Sequence, residues 1–163
     1  TGSRVKPVSS CGLRTTEPFL RLPKTVLVNR YKLSGSDETL LVANIHSINF
    51  TLGTDVYNEQ IEALTQAITT HKGPVIVAGD FNSWSESRRQ IIDGMIDRLS
   101  LKAVTYNSHN RVKIFGYEID HVFYRGLETV SSEAQQVSSS DHNPIRVTFR
   151  KSPDPRKIAR ASY

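Results

Sequence analysis

The sequence predicts an α/β (α+β) domain, a sandwich-like arrangement of largely antiparallel strands with two intervening helices. Three observations carry this. Short apolar, β-branched runs bounded by turn residues recur along the chain, as in Thr25–Leu33, Thr39–His46 and Val75–Ala78. Two segments, beginning near Asp55 and Ser85, instead space their apolar residues at the helical period. No internal repeat or low-complexity tract interrupts the 163 residues, a length that suits one domain or a substantial part of one.

In chain order, Thr1–Leu22 reads as irregular, punctuated by Pro7, Gly12 and Pro18. Thr25–Leu33 and Thr39–His46 read as strands, and the Gly-containing turn Ser34–Asp37 between them predicts an antiparallel hairpin. A helix is expected over Asp55–His71, capped by Thr54, with Tyr57, Ile61, Leu64 and Ile68 on its buried face. Gly73-Pro74 stops it. Val75–Ala78 reads as a buried strand that Gly79 ends, with Asp80 and Asn82 immediately after.

Ser85 or Ser87 can cap a second helix, buried through Ile92, Met95, Ile96 and Leu99. Leu101–Thr105 reads as a short strand and Tyr106–Gly116, with His109, Asn110, Arg111 and Lys113, as a polar loop. Tyr117–Tyr124 is a further strand containing Asp120 and His121; Glu128–Ser140 reads as a connection. Asp141–Pro144 then leads into a last strand, Ile145–Phe149.

Composition narrows the function classes. No apolar stretch approaches the ~20 residues of a membrane span, and Thr1–Ser10 has no apolar core of a secretory signal. A cytoplasmic location is the corresponding expectation. Cys11 is the sole cysteine, which excludes an internal disulfide framework and a Cys-rich zinc site. The net charge is +5, but five basic residues and one acidic residue lie in 150–163, leaving +1 for the body. The body is therefore not a strongly basic nucleic-acid module. The 150–163 segment reads as a basic, flexible tail.

Four polar clusters fall at or inside predicted strands: Asn44/His46/Asn49, Asp80/Asn82, Asp120/His121 and Asp141/His142. Gly79-Asp80-Phe81-Asn82 taken alone is also an ordinary turn. Together, carboxylates, amides and imidazoles suit metal-assisted phosphoester hydrolysis. Carboxylates with water and phosphate hold Mg²⁺, and a base orients or deprotonates the attacking water. An amide such as Asn82 can donate to a phosphate oxygen or to the partner carboxylate. An imidazole paired with a carboxylate is held in one tautomer and can act as a positively charged donor to the transition state. Gly-x-Ser-x-Gly, the Walker A loop, Gly-x-Gly-x-x-Gly and His-Glu-x-x-His are all absent from the sequence.

Gly79-Asp-Phe-Asn82, Ile119-Asp-His121 and Ser140-Asp-His-Asn-Pro144, in that order, resemble the endonuclease/exonuclease/phosphatase superfamily, and Asn44-Ile-His46 resembles its preceding histidine motif. Cys11–Pro18 is similar to the corresponding segment of its bacterial YafD-like branch. The resemblance covers most of residues 3–149. It implies the DNase I-like four-layer α/β/β/α sandwich and phosphodiesterase, nuclease or phosphatase activity with Mg²⁺, or Mn²⁺, as cofactor. It implies Asp80 as base or water-orienting carboxylate and Asn82 as a phosphate-contacting amide. Asp141 would be a metal ligand. His142 would contact the scissile phosphate and Asp120 would orient it; His46 would be a second phosphate-facing histidine, with Asn49 beside it.

The family's early Asn motif and Gln-Glu pair are not found ahead of Thr25, and Glu17 stands in a different context. Residues 1–149 therefore resemble an N-terminally truncated domain. A dimer, or association with the missing N-terminal part, is expected to cover its open faces. The substrate is expected to be a phosphoester of nucleic acid, phospholipid head group or inositol phosphate. The alternative is a non-catalytic binding module that keeps the sandwich and has lost hydrolysis.

Overall fold

The structure is a computed structural model that describes residues 5–17, 23–51, 53–107 and 110–152. Pro18, His109 and most of the basic tail lie outside the described residues. The elements are β1 (Ser9–Thr16), β2 (Pro23–Lys32), β3 (Thr39–His46), α1 (Asp55–Thr69), β4 (Val75–Asp80), α2 (Glu86–Leu99), β5 (Lys102–Ala103), β6 (Lys113–Ile114), β7 (Tyr117–Glu118), β8 (Asp120–Arg125), β9 (Leu127–Ala134) and β10 (Ile145–Lys151).

Six strands form one sheet in the order β1-β2-β3-β4-β8-β5. Among the described residues only the β3–β4 pair is parallel, because α1 carries the chain back between them. The predicted β2–β3 hairpin is present, with Val26 opposite Ile45 and Lys32 opposite Thr39. Alternation divides the sheet into two faces. Val26, Val28, Leu41, Ala43, Ile45, Val75, Val77 and Phe123 are buried against Tyr57, Ile61, Leu64 and Ile68 of α1 and Ile92, Met95 and Leu99 of α2. On the opposite face Leu27 is exposed, and Val42, Ile76 and Tyr124 are only half-buried. The β9–β10 hairpin lies against this second face, with the Phe149 ring 5.1 Å from that of Tyr124. The layers are thus helices, sheet and hairpin.

Several sequence expectations change. The predicted irregular N-terminal stretch contains β1, which pairs with β2 from Ser9↔Arg30 to Thr16↔Pro23. The predicted connection at Glu128–Ser140 contains β9. β1 exposes most of its side chains and β9 fully buries only Ala134, so hydrophobic pattern does not mark them; their ladders hold them. The polar loop ends in a small hairpin, β6–β7, and Ile119 separates β7 from β8. Thr54 is at the N-cap of α1 but makes no side-chain cap bond, whereas Ser85 caps α2 by accepting from Arg88 N at 3.4 Å.

Gly79 does not end β4. The strand runs on to Asp80, with Gly79 opposite Ile45 on one side and His121 on the other. Gly79 has φ 142°, and a Cβ there would lie 1.9 Å from the Ile45 carbonyl oxygen. The glycine permits β3 and β4 to stay in register up to the functional end of the sheet.

Candidate active site

The next rung of this ladder forms the site. Parallel pairing places His46 opposite Asp80, and antiparallel pairing places Asp80 opposite Asp120. Three ionisable groups from three adjacent strands therefore share one sheet edge. β3 and β4 end there and β8 begins there, so their loops gather above it. An open cavity of about 470 Å³ lies at this edge, lined by His46, Asp80, Asp120, His142 and the flanking Asn44 and Asn143.

His142 comes from the β9–β10 connection. Its Nδ1 lies 2.8 Å from Asp120 Oδ2, so the carboxylate accepts and Nδ1 carries the proton. The other ring nitrogen faces Asp80 Oδ2 at 4.0 Å. The hydrogen bond to Asp120 holds His142 above the ordinary imidazole pKa, outweighing partial burial. Burial pushes the Asp120 carboxyl up, and its bond to His142 opposes that rise. His46 Nε2 is 3.5 Å from Asp80 Oδ2.

Asp80 is held from below. Its Oδ1 accepts the Asn82 backbone N–H at 2.8 Å and its Oδ2 accepts Asn82 Nδ2 at 3.2 Å. Asn82 Nδ2 also donates to the Ser47 carbonyl at 3.0 Å. Asn82 is 2% exposed and takes φ 46°, a left-handed conformation that Asn tolerates better than most residues. Of the two roles open to this amide, the structure shows it donating to the carboxylate. Asn49 is likewise engaged elsewhere, its Oδ1 accepting Trp84 Nε1 at 3.0 Å, and it does not line the cavity. Asp141 is exposed and also lies outside the lining.

His121, left without a role by the sequence, is a packing residue. Its ring stacks on Phe123 at 5.4 Å, and Nε2 lies 2.8 Å from Ser83 Oγ and 3.0 Å from the Glu118 carbonyl oxygen. Desolvation takes its pKa down to about 4, so it is neutral at ordinary pH.

Sequence reasoning missed Lys24 and Arg88 and set Glu17 aside. Lys24 of β2 places Nζ 2.7 Å from His46 Nε2 and 3.7 Å from Glu17 Oε1. An ammonium only donates, so His46 accepts at Nε2. Glu17, 1% exposed, also accepts the Asn49 backbone N–H at 3.0 Å. Arg88 of α2, likewise 1% exposed, donates to the carbonyls of Ile48, Asn82 and Asn49 and to Thr51 Oγ1, over 2.7–3.1 Å. Its guanidinium carbon lies 4.5 Å from the Tyr57 ring centroid and 4.3 Å from that of Trp84. Arg88 thereby ties the loop after β3 to the loop after β4. The only sequence signal for it was an Arg one turn inside a capped helix that directly follows the Asp80/Asn82 motif.

Among the described residues, no group of three or more His, Cys, Asp or Glu side chains is arranged to hold a metal ion. The donor chemistry at the edge is nevertheless that of a hard cation, which Mg²⁺ satisfies with one or two carboxylates plus water and phosphate.

A sheet backed by two helices on one face, with carboxylates and imidazoles at one edge, defines the class as a DNase I-like α/β domain. Residues 6–142 match the model of the Endonuclease/Exonuclease/phosphatase family, and the chain belongs to that family. The UPF0294 protein of Vibrio campbellii is 46% identical over 145 residues, covering 88% of this chain and 51% of that protein. The Yersinia enterocolitica relative is 43% identical over 144 residues, covering 88% and 55%. This chain thus spans about half the length of the curated relatives it matches. Among solved structures, the human Nocturnin catalytic domain superposes with a TM-score of 0.65 at 21% identity, covering 91% of this chain and 61% of that one. A Bacteroides thetaiotaomicron mannosyl-6-phosphatase gives 0.62 at 17% identity, covering 89% and 67%. These structural likenesses establish the fold. No helix among the described residues is long and apolar enough to cross a membrane.

Proposed function

We propose that the chain carries the phosphate-facing part of a phosphoester hydrolase that transfers a phosphoryl centre to water. The observation supporting this is the His46–Asp80–Asp120 rung with His142 closing over it. Asp80, fixed by both donors of Asn82, accepts a proton from the attacking water. The water oxygen forms the new bond to phosphorus, and the ester oxygen leaves with the bonding pair. Asp120 accepts from His142 Nδ1 and favours the doubly protonated imidazolium, whose Nε2–H then donates to a phosphate oxygen where negative charge develops. Lys24 and His46 form a second polar group beside Asp80.

In this reading Asp141, on the same loop as His142, would hold Mg²⁺ or Mn²⁺, which would supply positive charge against that of the phosphate. The phosphatase named among the neighbours, and the nuclease and phosphatase membership of the family, support phosphoester chemistry.

The test is turnover by the full-length protein on a panel of nucleic-acid, phospholipid and inositol phosphoesters with Mg²⁺ and with Mn²⁺. Asp80→Asn should cut the rate at least about 100-fold, the scale of general acid–base catalysis, while circular dichroism stays unchanged. Wild-type turnover in that variant sinks the assignment. Binding of a phosphoester with no hydrolysis of any panel member identifies a binding module instead.

A further inference from the structure

Three aromatic residues stand on loops that meet the same sheet edge, and the hydrolysis proposed above uses none of them. Phe50 lies on the loop leaving β3, Trp84 on the loop leaving β4, and Phe115 at the tip of the β6–β7 hairpin that leads into β8. These are the loops attached to His46, Asp80 and Asp120.

The Trp84 ring is held in place. Its Nε1 donates to Asn49 Oδ1 at 3.0 Å, Arg88 lies over it at 4.3 Å, and Phe115 meets it edge-on at 6.1 Å and 74°. Phe115 is 82% exposed and Phe50 57%. Phe115 and Gly116 form the two-residue hairpin loop with φ of 51° and 86°. Such a turn favours Asn-Gly or Asp-Gly, and a bulky aromatic at positive φ is a strained choice. An exposed ring held at that position gains almost no core packing, and such outliers cluster at ligand sites. Cations flank it. Lys113 is exposed on the same hairpin, and the Arg89 guanidinium lies 5.8 Å from the Tyr117 ring.

We propose that Phe115, Trp84 and Phe50 form a stacking subsite for a nucleobase of a single-stranded nucleic acid whose phosphate sits at Asp80 and His142. The proposal rests on the phosphoesterase reading and adds a substrate class to it. Aromatic platforms beside cations are how single strands are held, because every base offers a π-face. Bases in a duplex are stacked on one another and are not free to use such a platform. Two exposed rings, Phe50 and Phe115, on separate loops do not make the broad apolar face that interfacial membrane binding needs.

Trp84 is the only tryptophan of the 163 residues, so its fluorescence reports on this surface. In the full-length protein a Trp84→Phe control isolates that signal. The probes are a phosphorothioate oligonucleotide of about six nucleotides, near the span of one single-strand site, its abasic counterpart, and phosphatidylglycerol vesicles. The expected result is quenching of Trp84 by the oligonucleotide and about tenfold weaker binding of the abasic chain, the scale of one base–aromatic contact. Phe115→Asn keeps a residue the turn favours, removes the ring, and should abolish most of that preference. Equal affinity for the two chains, or a preference unchanged in a Phe50→Ala, Phe115→Asn double variant, overturns the proposal. So does a Trp84 blue shift with vesicles that the oligonucleotide does not produce. The titration reads no turnover. Base preference without hydrolysis therefore counts against the enzyme reading alone, and hydrolysis without base preference against the subsite alone.

Discussion

Arg88→Met is the sharpest test of how the site is held. Methionine keeps most of the buried stem and removes the guanidinium, so the change isolates the hydrogen bonds. Arg88 makes four, three of them to backbone carbonyls in the two loops that frame Asp80 and Asn82. Replacing a buried charge by an apolar group is often neutral when both partners go together. Here the acceptors stay behind. Each buried acceptor left without a donor costs about 1–3 kcal/mol. Three carbonyls give roughly 3–6 kcal/mol once some relaxation toward water is allowed. That is a large share of a domain's 5–15 kcal/mol, taken as an order of magnitude. The assay is urea denaturation of the full-length protein, followed by fluorescence and by circular dichroism, with the slope checked for constancy. Arg88→Lys should fall between the two, because an ammonium cannot reach both loops as the planar fork does. A loss under about 1 kcal/mol in Arg88→Met, within ordinary surface-mutant scatter, refutes the clamp.

Gly79→Ala should prevent normal folding or cost more than about 3 kcal/mol, since overpacking and an unfavourable φ act together there; its Cβ would meet the Ile45 carbonyl at 1.9 Å. A denaturation midpoint equal to wild type counts against the β3–β4 register. His142 titrates above its unfolded value, so its stabilising contribution is fully present below the unfolded pKa and fades as pH rises through the folded one. NMR titration of Asp120→Asn should move the His142 pKa down; an unmoved midpoint refutes the pairing. The sheet face opposite the helices is only half covered, and Leu27 on it is exposed. Taken alone, these 163 residues should therefore associate through that face or the open edge of the β9–β10 hairpin. Light scattering coupled to gel filtration that finds a soluble monomer at micromolar concentration would falsify this.

What the sequence determined by itself is what local pattern encodes. The runs in β2, β3 and β4 and the stripes of α1 and α2 are legible because one face of each element is buried against a common core. The Asp80/Asn82, Asp120 and Asp141/His142 motifs were legible because polar residues at strand ends are poor core material. β1 escaped because it exposes most of its side chains and β9 because it fully buries only Ala134; both depend on ladders with β2 and β10, which no local periodicity records. Tertiary structure alone decided which charges meet. Register put His46, Asp80 and Asp120 on one rung, and the β9–β10 connection delivered His142 to it. Lys24 lies 22 residues from His46, and Arg88 lies 40 residues from Ile48. A lone lysine or arginine carries no periodic signal. Only the folded chain supplies the acceptors that make burying it tolerable, because a buried charge is stable only where partners already wait for it.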